Sequence, residues 1–357
     1  MTTRSPPQQP RLLGIGTAVP ANPMHDLFVE WALTTITDER ERALFLRMVE
    51  RCGIEQRWMV LDNPPGGHSP VDPGGFYGGA ALPGTGARMT RYAEEAPRLA
   101  MTAIGDLASQ CPIDGITHLV VASCTGFTAP GLDQRIAALL GLSPRVERLF
   151  VGYMGCYAAV TALRSAWHIV RSRPEARVLV VCVELCSLHL NDGAPLDSLL
   201  AMLQFGDGAA AALVAASGGG LALTDSFSAT LPDTHDLIRW DIGDSGFVMH
   251  LSGQVPGQIR RTLAEERLLL PLPAGDVAHW AVHAGGRSIL DAVESGLALP
   301  PDALDDSRAV LRDYGNMSSA TLMFVLARKL KAGAPGPGVA MAFGPGLAVE
   351  GLLFGTD

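Results

Sequence analysis

With 357 residues, 48% of them hydrophobic and only 18% charged, the chain carries enough apolar surface for one large or two medium well-buried cores, which excludes a disulfide-stapled miniature. Twenty-seven basic against 36 acidic residues give a formal charge of −9, and no long Lys/Arg cluster occurs, so a nucleic-acid surface is excluded and a small-molecule ligand fits better. No secretory h-region and no apolar run of the roughly 18 residues of a membrane span is present. The six cysteines are therefore expected to be thiols in a cytoplasmic protein without integral membrane association.

Taken in chain order, the polar, proline-rich MTTRSPPQQP is followed by the apolar run RLLGIG (11–16), a short strand. Its continuation, LGIGTAVP, is half of a dinucleotide fingerprint, but Pro20 falls where the helix should begin and the third glycine is missing. Residues 63–87, rich in Gly and Pro and without periodicity, predict a long surface loop or flap. Strands are expected at THLVVA (117–122) and RVLVVCV (177–183), and again at DVAHWA (277–282) and GVAMAF (338–343). The segments between them carry helical spacing, so a layered α/β architecture is expected. FGDGAAAALV (205–214) and FGPGLAVEGLL (343–353) are similar turns entering apolar strands, a faint internal repeat. Its seam falls near residue 217, in ASGGG, dividing the chain into halves 1–217 and 218–357.

Chemistry is suggested at three places. From Cys156 a helical stripe runs through Val160, Leu163, Trp167 and Val170, which puts Cys156 at the first turn of a helix after the Gly155 turn. A lone cysteine is more often packing than nucleophile. A helix N-terminus nevertheless lowers a thiol pKa and offers free N–H groups to an oxyanion. His283 follows an apolar strand and precedes a Gly-Gly turn, and Asn316 stands ahead of an apolar helix as an N-cap or as a carboxamide donor to an enolate oxygen. CVELCSLH, with Cys182, Cys186 and His189, lacks a fourth ligand for zinc, and neither FGDG nor FGPG carries a Walker lysine. No metal site is expected.

Cys156 in GCYAA, His283 in HAGGRSILDAVE, Asn316 in YGNMSSA and the ending FGPGLAVEG together resemble the type III polyketide synthases, the chalcone synthase-like enzymes, in a bacterial-type form. The resemblance runs from about residue 11 to 354 and includes CTGFTAPGLD and VPG at 255–257. It implies a thiolase fold, two α/β halves in a five-layered α-β-α-β-α core, as a homodimer. It implies acyl-CoA and malonyl-CoA as substrates, iterative decarboxylative Claisen condensation followed by cyclisation to an alkylresorcinol, alkylpyrone or related phenolic, and no cofactor. Cys156 would hold the starter as a thiolate paired with His283, and His283 and Asn316 would stabilise the enolate.

The resemblance also implies a cavity lined by Phe205, a gatekeeper, and by Met249, which replaces a second gatekeeper phenylalanine. Cys124, Thr125, Cys186 and His189 would form its wall, and Gly344, Pro345 and Gly346 its floor. Arg47 and Arg51 match CoA-binding positions of the family, whereas Leu44 replaces a third basic residue and Ala129 a methionine that reaches the partner subunit. Two alternatives carry the same Cys/His logic or none: a single-condensation ketoacyl-ACP synthase type III or hydroxymethylglutaryl-CoA synthase, and an inactive acyl-binding or scaffold homologue.

Overall fold

A computed structural model describes residues 9–191, 195–265, 270–333 and 335–356. Most of residues 1–10, the polar N-terminal stretch, lies outside the described residues. Nine strands hydrogen-bond side by side. From one edge they are His279–Val282, Gly336–Gly344, Ala348–Thr356, Leu221–Thr230, Arg11–Ala18, Asp207–Ala215, Arg177–Leu185, His118–Ser123 and Glu147–Gly152.

The junction between Leu221–Thr230 and Arg11–Ala18 is only two residue pairs long, Arg11 with Ala222 and Leu12 with Leu221. Outward from it the pairing repeats. On one side it runs antiparallel, antiparallel, parallel through Asp207–Ala215, Arg177–Leu185 and His118–Ser123. On the other it runs in the same order of directions through Ala348–Thr356, Gly336–Gly344 and His279–Val282. The expected strands are therefore present, each within a few residues of its expected bounds.

The near-continuous apolar strands are explained by cover on both faces. In Arg177–Leu185, Val178, Val180 and Cys182 face one core, while Leu179, Val181 and Val183 face another, as the two-residue period of a strand requires. The first core is central: helices Ala158–Ser172 and Ser319–Ala332 lie within it, between the two sheet halves. An outer layer on one side is the long helix Thr85–Gln110, and on the other the paired helices Val255–Glu265 and Arg287–Leu297. Helix, sheet, helix, sheet, helix gives the five layers of a mixed α/β, thiolase-like fold.

Helix Ala158–Ser172 starts two residues later than the expected first turn, because Gly155, at φ +73°, opens a 3₁₀ turn through Tyr157 first. Trp167 Nε1 donates to Leu223 O at 3.0 Å, and Arg164 pairs with Glu350, so this helix is tied to strands of the opposite sheet half. The segment expected as a surface flap is irregular up to Thr85, but it is not all surface: Ser69, Pro70 and Tyr77 are buried, and Tyr77 Oη donates to Ser187 O at 2.7 Å. Among the described residues no helix is long and apolar enough to cross a membrane.

Candidate active site

The nucleophile turn is held from two sides. Gly155 N–H donates to Cys124 Sγ at 3.0 Å, and a Cβ on Gly155 would stand 2.5 Å from Pro345 Cδ. A Cβ on Gly344 would meet the Tyr157 ring at 2.7 Å. The GCY and FGPG turns thus each seat a glycine against a ring of the other, Gly155 against Pro345 and Gly344 against Tyr157, an approach that a Cβ would block.

Burial pushes the Cys156 thiol up to about 11, against the favourable side-chain hydrogen bonding of Ser318 and Asn316; the carboxyl of Glu184 raises it further. His283 is buried at the end of strand His279–Val282, and burial alone pulls its imidazole down to about 3. Among the described residues neither of its ring nitrogens has a hydrogen-bond partner. At those values thiol and imidazole are both neutral near pH 7. Two unsatisfied nitrogens in a core cost roughly 1–3 kcal/mol each, a penalty retained where a ligand or a mobile proton supplies the missing partner.

Asn316 reaches the same strand end: its Nδ2 donates to Gly285 O at 3.2 Å, and a Cβ on Gly285 would stand 3.3 Å from the His283 ring. Its Oδ1 accepts from Ser318 N–H at 2.9 Å, an Asx turn that precedes the helix Ser319–Ala332, whose N-cap residue is Ser318. Ser318 sits at φ +47°, an uncommon region for serine and a mark of local strain beside the thiol. Asn316 also pairs through its backbone with Phe205, Asn316 N–H donating to Gln204 O at 2.8 Å and Gly206 N–H to Asn316 O at 3.0 Å.

A cavity of about 330 Å³ opens onto Cys156. Cys124, Thr125, Cys186, His189, Phe205, Met249 and Pro345 line it, all positions expected to do so. Of the remaining expected residues, His283, Asn316, Gly344 and Gly346 are not among those that line it, although Gly344 and Gly346 flank the lining residue Pro345 and Asn316 bonds to Ser318, which lines it, and Arg47 and Arg51 are exposed on helix Glu39–Arg51. Among the described residues no Asp, Glu, Lys or Arg side chain lines the cavity. Cys182 points into the central core, away from Cys186 and His189 at the cavity, so CVELCSLH does not converge as a ligand set.

The hairpin Ile238–Gly243 with Gly246–Leu251 supplies a wall that sequence reading found only at Met249. His189 stacks on Phe247 at 4.0 Å and Phe247 on Trp240 at 5.0 Å between ring centroids. His189 is fixed by bonds at both nitrogens: Nδ1 accepts from Phe247 N–H at 3.1 Å, which leaves Nε2–H to donate to Thr125 O at 2.7 Å. Burial lowers it to about 4, so it is a neutral brace between hairpin and wall.

Two further groups were legible only in part. Glu184, a carboxylate directly after the apolar run VLVVCV, is fully buried and accepts from Ser319 Oγ at 2.5 Å, Thr125 Oγ1 at 2.8 Å and Cys124 N–H at 2.9 Å. Burial nevertheless pushes its carboxyl up to about 7. Met24 and Phe28, from the first helix, complete the cavity wall and border a second, apolar space of about 50 Å³ reaching Val71 and Tyr77.

The family model described as "Chalcone and stilbene synthases, N-terminal domain" matches residues 4–218, and the one described as "Chalcone and stilbene synthases, C-terminal domain" matches residues 222–356. Among solved structures, PKS-I from the brown alga Ectocarpus siliculosus is similar with a TM-score of 0.89 and 29% identity, over 99% of this chain and 100% of that one. The C-terminal type III polyketide synthase domain of Steely1, a type I/III hybrid from Dictyostelium, is similar with a TM-score of 0.85 and 28% identity, over 98% and 99% of the respective chains.

Proposed function

The chain belongs to the chalcone and stilbene synthase family, the type III polyketide synthases, which are acyltransferases, and from that premise we propose that it builds an alkylresorcinol, alkylpyrone or related phenolic by repeated condensation of malonyl-CoA onto an uncharged acyl-CoA starter. The observation that carries this reading is the cavity opening onto Cys156, free of Asp, Glu, Lys and Arg among the described residues, together with the imidazole of His283, partnerless among those residues, and the Asn316 amide.

In the proposed mechanism His283 takes the thiol proton as Cys156 Sγ attacks the thioester carbonyl; the carbon–sulfur bond to CoA breaks and the proton leaves on the CoA thiolate. Malonyl-CoA then loses CO₂, its electron pair passing into an enolate whose oxygen accepts hydrogen bonds from His283 and from Asn316 Nδ2. The enolate carbon attacks the acyl-cysteine carbonyl, and Cys156 thiolate departs, leaving a CoA thioester two carbons longer. Phe205 and Met249 border the passage between CoA and cavity, and Arg47 and Arg51 meet the CoA phosphates in forked contacts. The second apolar space beside Met24 and Phe28 favours an alkyl starter.

Several subsidiary readings belong with this one. The halves divide at residues 217 and 218, beside the two-pair junction. Ala129 and Met249 favour a bacterial-type rather than a plant-type enzyme, and six free cysteines favour the cytoplasm. A homodimer is favoured by the strand Glu147–Gly152, which ends the sheet with Leu149 and Phe150 exposed and Tyr153 beside them. Sedimentation of the wild type as a dimer and of Phe150→Asp as a monomer supports that assembly; a monomeric wild type removes it.

The test is incubation of the purified protein with labelled malonyl-CoA and a panel of acyl-CoA starters. Products extended by several two-carbon units are expected. A single extension, or dependence on an acyl carrier protein, points to a ketoacyl-ACP synthase-like activity instead, and no incorporation with any starter overturns the enzymatic reading.

A further inference from the structure

Arg57 lies behind the cavity wall and is fully buried. Its Nη1 donates to two carbonyl oxygens, Met202 O at 2.9 Å and Phe205 O at 2.7 Å. Its Nε donates to His25 Nδ1 at 3.0 Å, its guanidinium carbon lies 4.9 Å from the Phe28 ring centroid, and its own carbonyl accepts from Met24 N–H at 2.8 Å. Met24, Phe28, Met202 and Phe205 all line the cavity. The side chain therefore grips three parts of the wall, Met202, Phe205 and Phe28, and the backbone carbonyl a fourth, Met24, without entering the cavity.

The stem of Arg57 does a second thing. A Cβ on Gly315 would stand 2.7 Å from Arg57 Cγ, and one on Gly206 3.3 Å from Arg57 Cβ. Those two glycines flank the backbone pairing of Phe205 with Asn316. The arginine is thus wedged where the Phe205 segment and the Asn316 turn meet, and Gly315, at φ +67°, leaves room for it.

Stability alone explains this arrangement poorly. Among the described residues no carboxylate hydrogen-bonds the guanidinium, and its Nη2 has no partner. Burial pulls it down to about 9, against the opposing charge of Asp207, so it stays charged at neutral pH. A buried charge of this kind is unfavourable for folding compared with an apolar side chain. What a planar guanidinium provides is a rigid fork that holds several acceptors in one geometry.

We propose that Arg57 is a positioning residue for the extension half of the reaction: it holds the Phe205 carbonyl and the Gly315 turn so that the Asn316 amide and the Phe205 ring meet the malonyl thioester together. Loading of Cys156, whose turn is held by Cys124 and Pro345 and takes no hydrogen bond from Arg57, does not depend on it. This assignment rests on the polyketide synthase reading above.

The experiment compares two half-reactions on the full chain. One is acylation of Cys156 by a starter acyl-CoA without malonyl-CoA, followed by intact-protein mass spectrometry. The other is decarboxylation of malonyl-CoA to acetyl-CoA without starter. In Arg57→Lys, which keeps the charge and loses the fork, decarboxylation is expected to fall about 100-fold while acylation stays within about threefold. His25→Gln, which retains an acceptor for Nε–H, is expected to lose less decarboxylation than His25→Leu, and this pair carries the same ratio test if Arg57→Lys does not fold. Equal loss of both half-reactions, or no change in their ratio, means a merely structural arginine and overturns the proposal. A wild type that performs neither half-reaction overturns the polyketide synthase reading and the Arg57 role with it.

Discussion

The two central helices start alike and are equipped differently. Ala158–Ser172 and Ser319–Ala332 lie between the sheet halves, and each is entered through a glycine in the left-handed region, Gly155 at φ +73° and Gly315 at φ +67°. The first entry is followed by a thiol and then by the small residues Ala158 and Ala159, packed without exposure in the core. The second is followed by an amide and by buried hydroxyls, Ser318, Ser319 and Thr321. A repeated scaffold thus aims two helix starts at one site, and in the proposed mechanism one offers the nucleophile and the other the hydrogen bonds. The division of labour lies in four or five side chains, not in the architecture.

If that division is real, the two halves of the reaction can be separated. The largest effect is expected from Cys156→Ala, which removes the acyl adduct altogether on intact-protein mass spectrometry yet leaves malonyl-CoA decarboxylation measurable. Asn316→Ala is expected to do the reverse, lowering decarboxylation about 10²–10³-fold, as loss of one oxyanion donor does, while the starter still loads. Parallel loss of both activities in either variant breaks the comparison.

Next come the entries themselves. Alanine at Gly155 meets Pro345 Cδ at 2.5 Å, and alanine at Gly315 meets both Arg57 Cγ at 2.7 Å and Gln204 O at 2.9 Å. At Gly155 the atoms met are Pro345 ring carbons, whereas Gln204 O belongs to the paired backbone and, with ψ −157°, Gly315 occupies a region nearly closed to other residues. Both substitutions are expected to destabilise by about 1–3 kcal/mol, Gly315→Ala more than Gly155→Ala, in urea unfolding. The reverse order sharpens the comparison in favour of the nucleophile turn as the tighter of the two.

The smallest effect concerns Glu184, which joins the two helix entries through Cys124 and Ser319. Its carboxyl is raised from 4.5 to about 7, so the folded state binds the proton more tightly than the unfolded chain. Its contribution to stability is complete below pH 4.5 and is lost as pH rises through about 7. The Tm of the wild type minus that of Glu184→Gln is therefore expected to fall across that window, and a difference that stays flat or rises contradicts the assignment.

Much of the scaffold could be read from the residues alone because burial on both faces leaves a plain mark: residues 178–183, VLVVCV, are apolar without a break, and the alternation of such runs with helical spacing gives the layered α/β class. The places where reading failed each have a local cause. The helix at Cys156 begins late because a positive φ at Gly155 sets a 3₁₀ turn that apolar spacing does not reveal. The 63–87 segment lacks periodicity, yet Tyr77 latches it onto Ser187 through one hydroxyl. Met24 and Phe28 lie about 130 residues from Cys156 in sequence, and their place in the cavity follows from tertiary packing through Arg57. Glu184 did carry a signal, a carboxylate in an apolar strand, which asks for buried donors.

The central claim is that His283 supplies the missing partner of Cys156 across the two halves. The direct measurement is the pH dependence of Cys156 alkylation by iodoacetamide, followed at the peptide level in the wild type and in His283→Ala. Burial, opposed by the Ser318 and Asn316 hydrogen bonds and reinforced by the Glu184 carboxyl, holds the thiol near 11; the imidazole, able to take its proton, is expected to bring the wild-type midpoint well below the variant's, which moves up toward that value. Identical profiles for the two proteins would contradict the account.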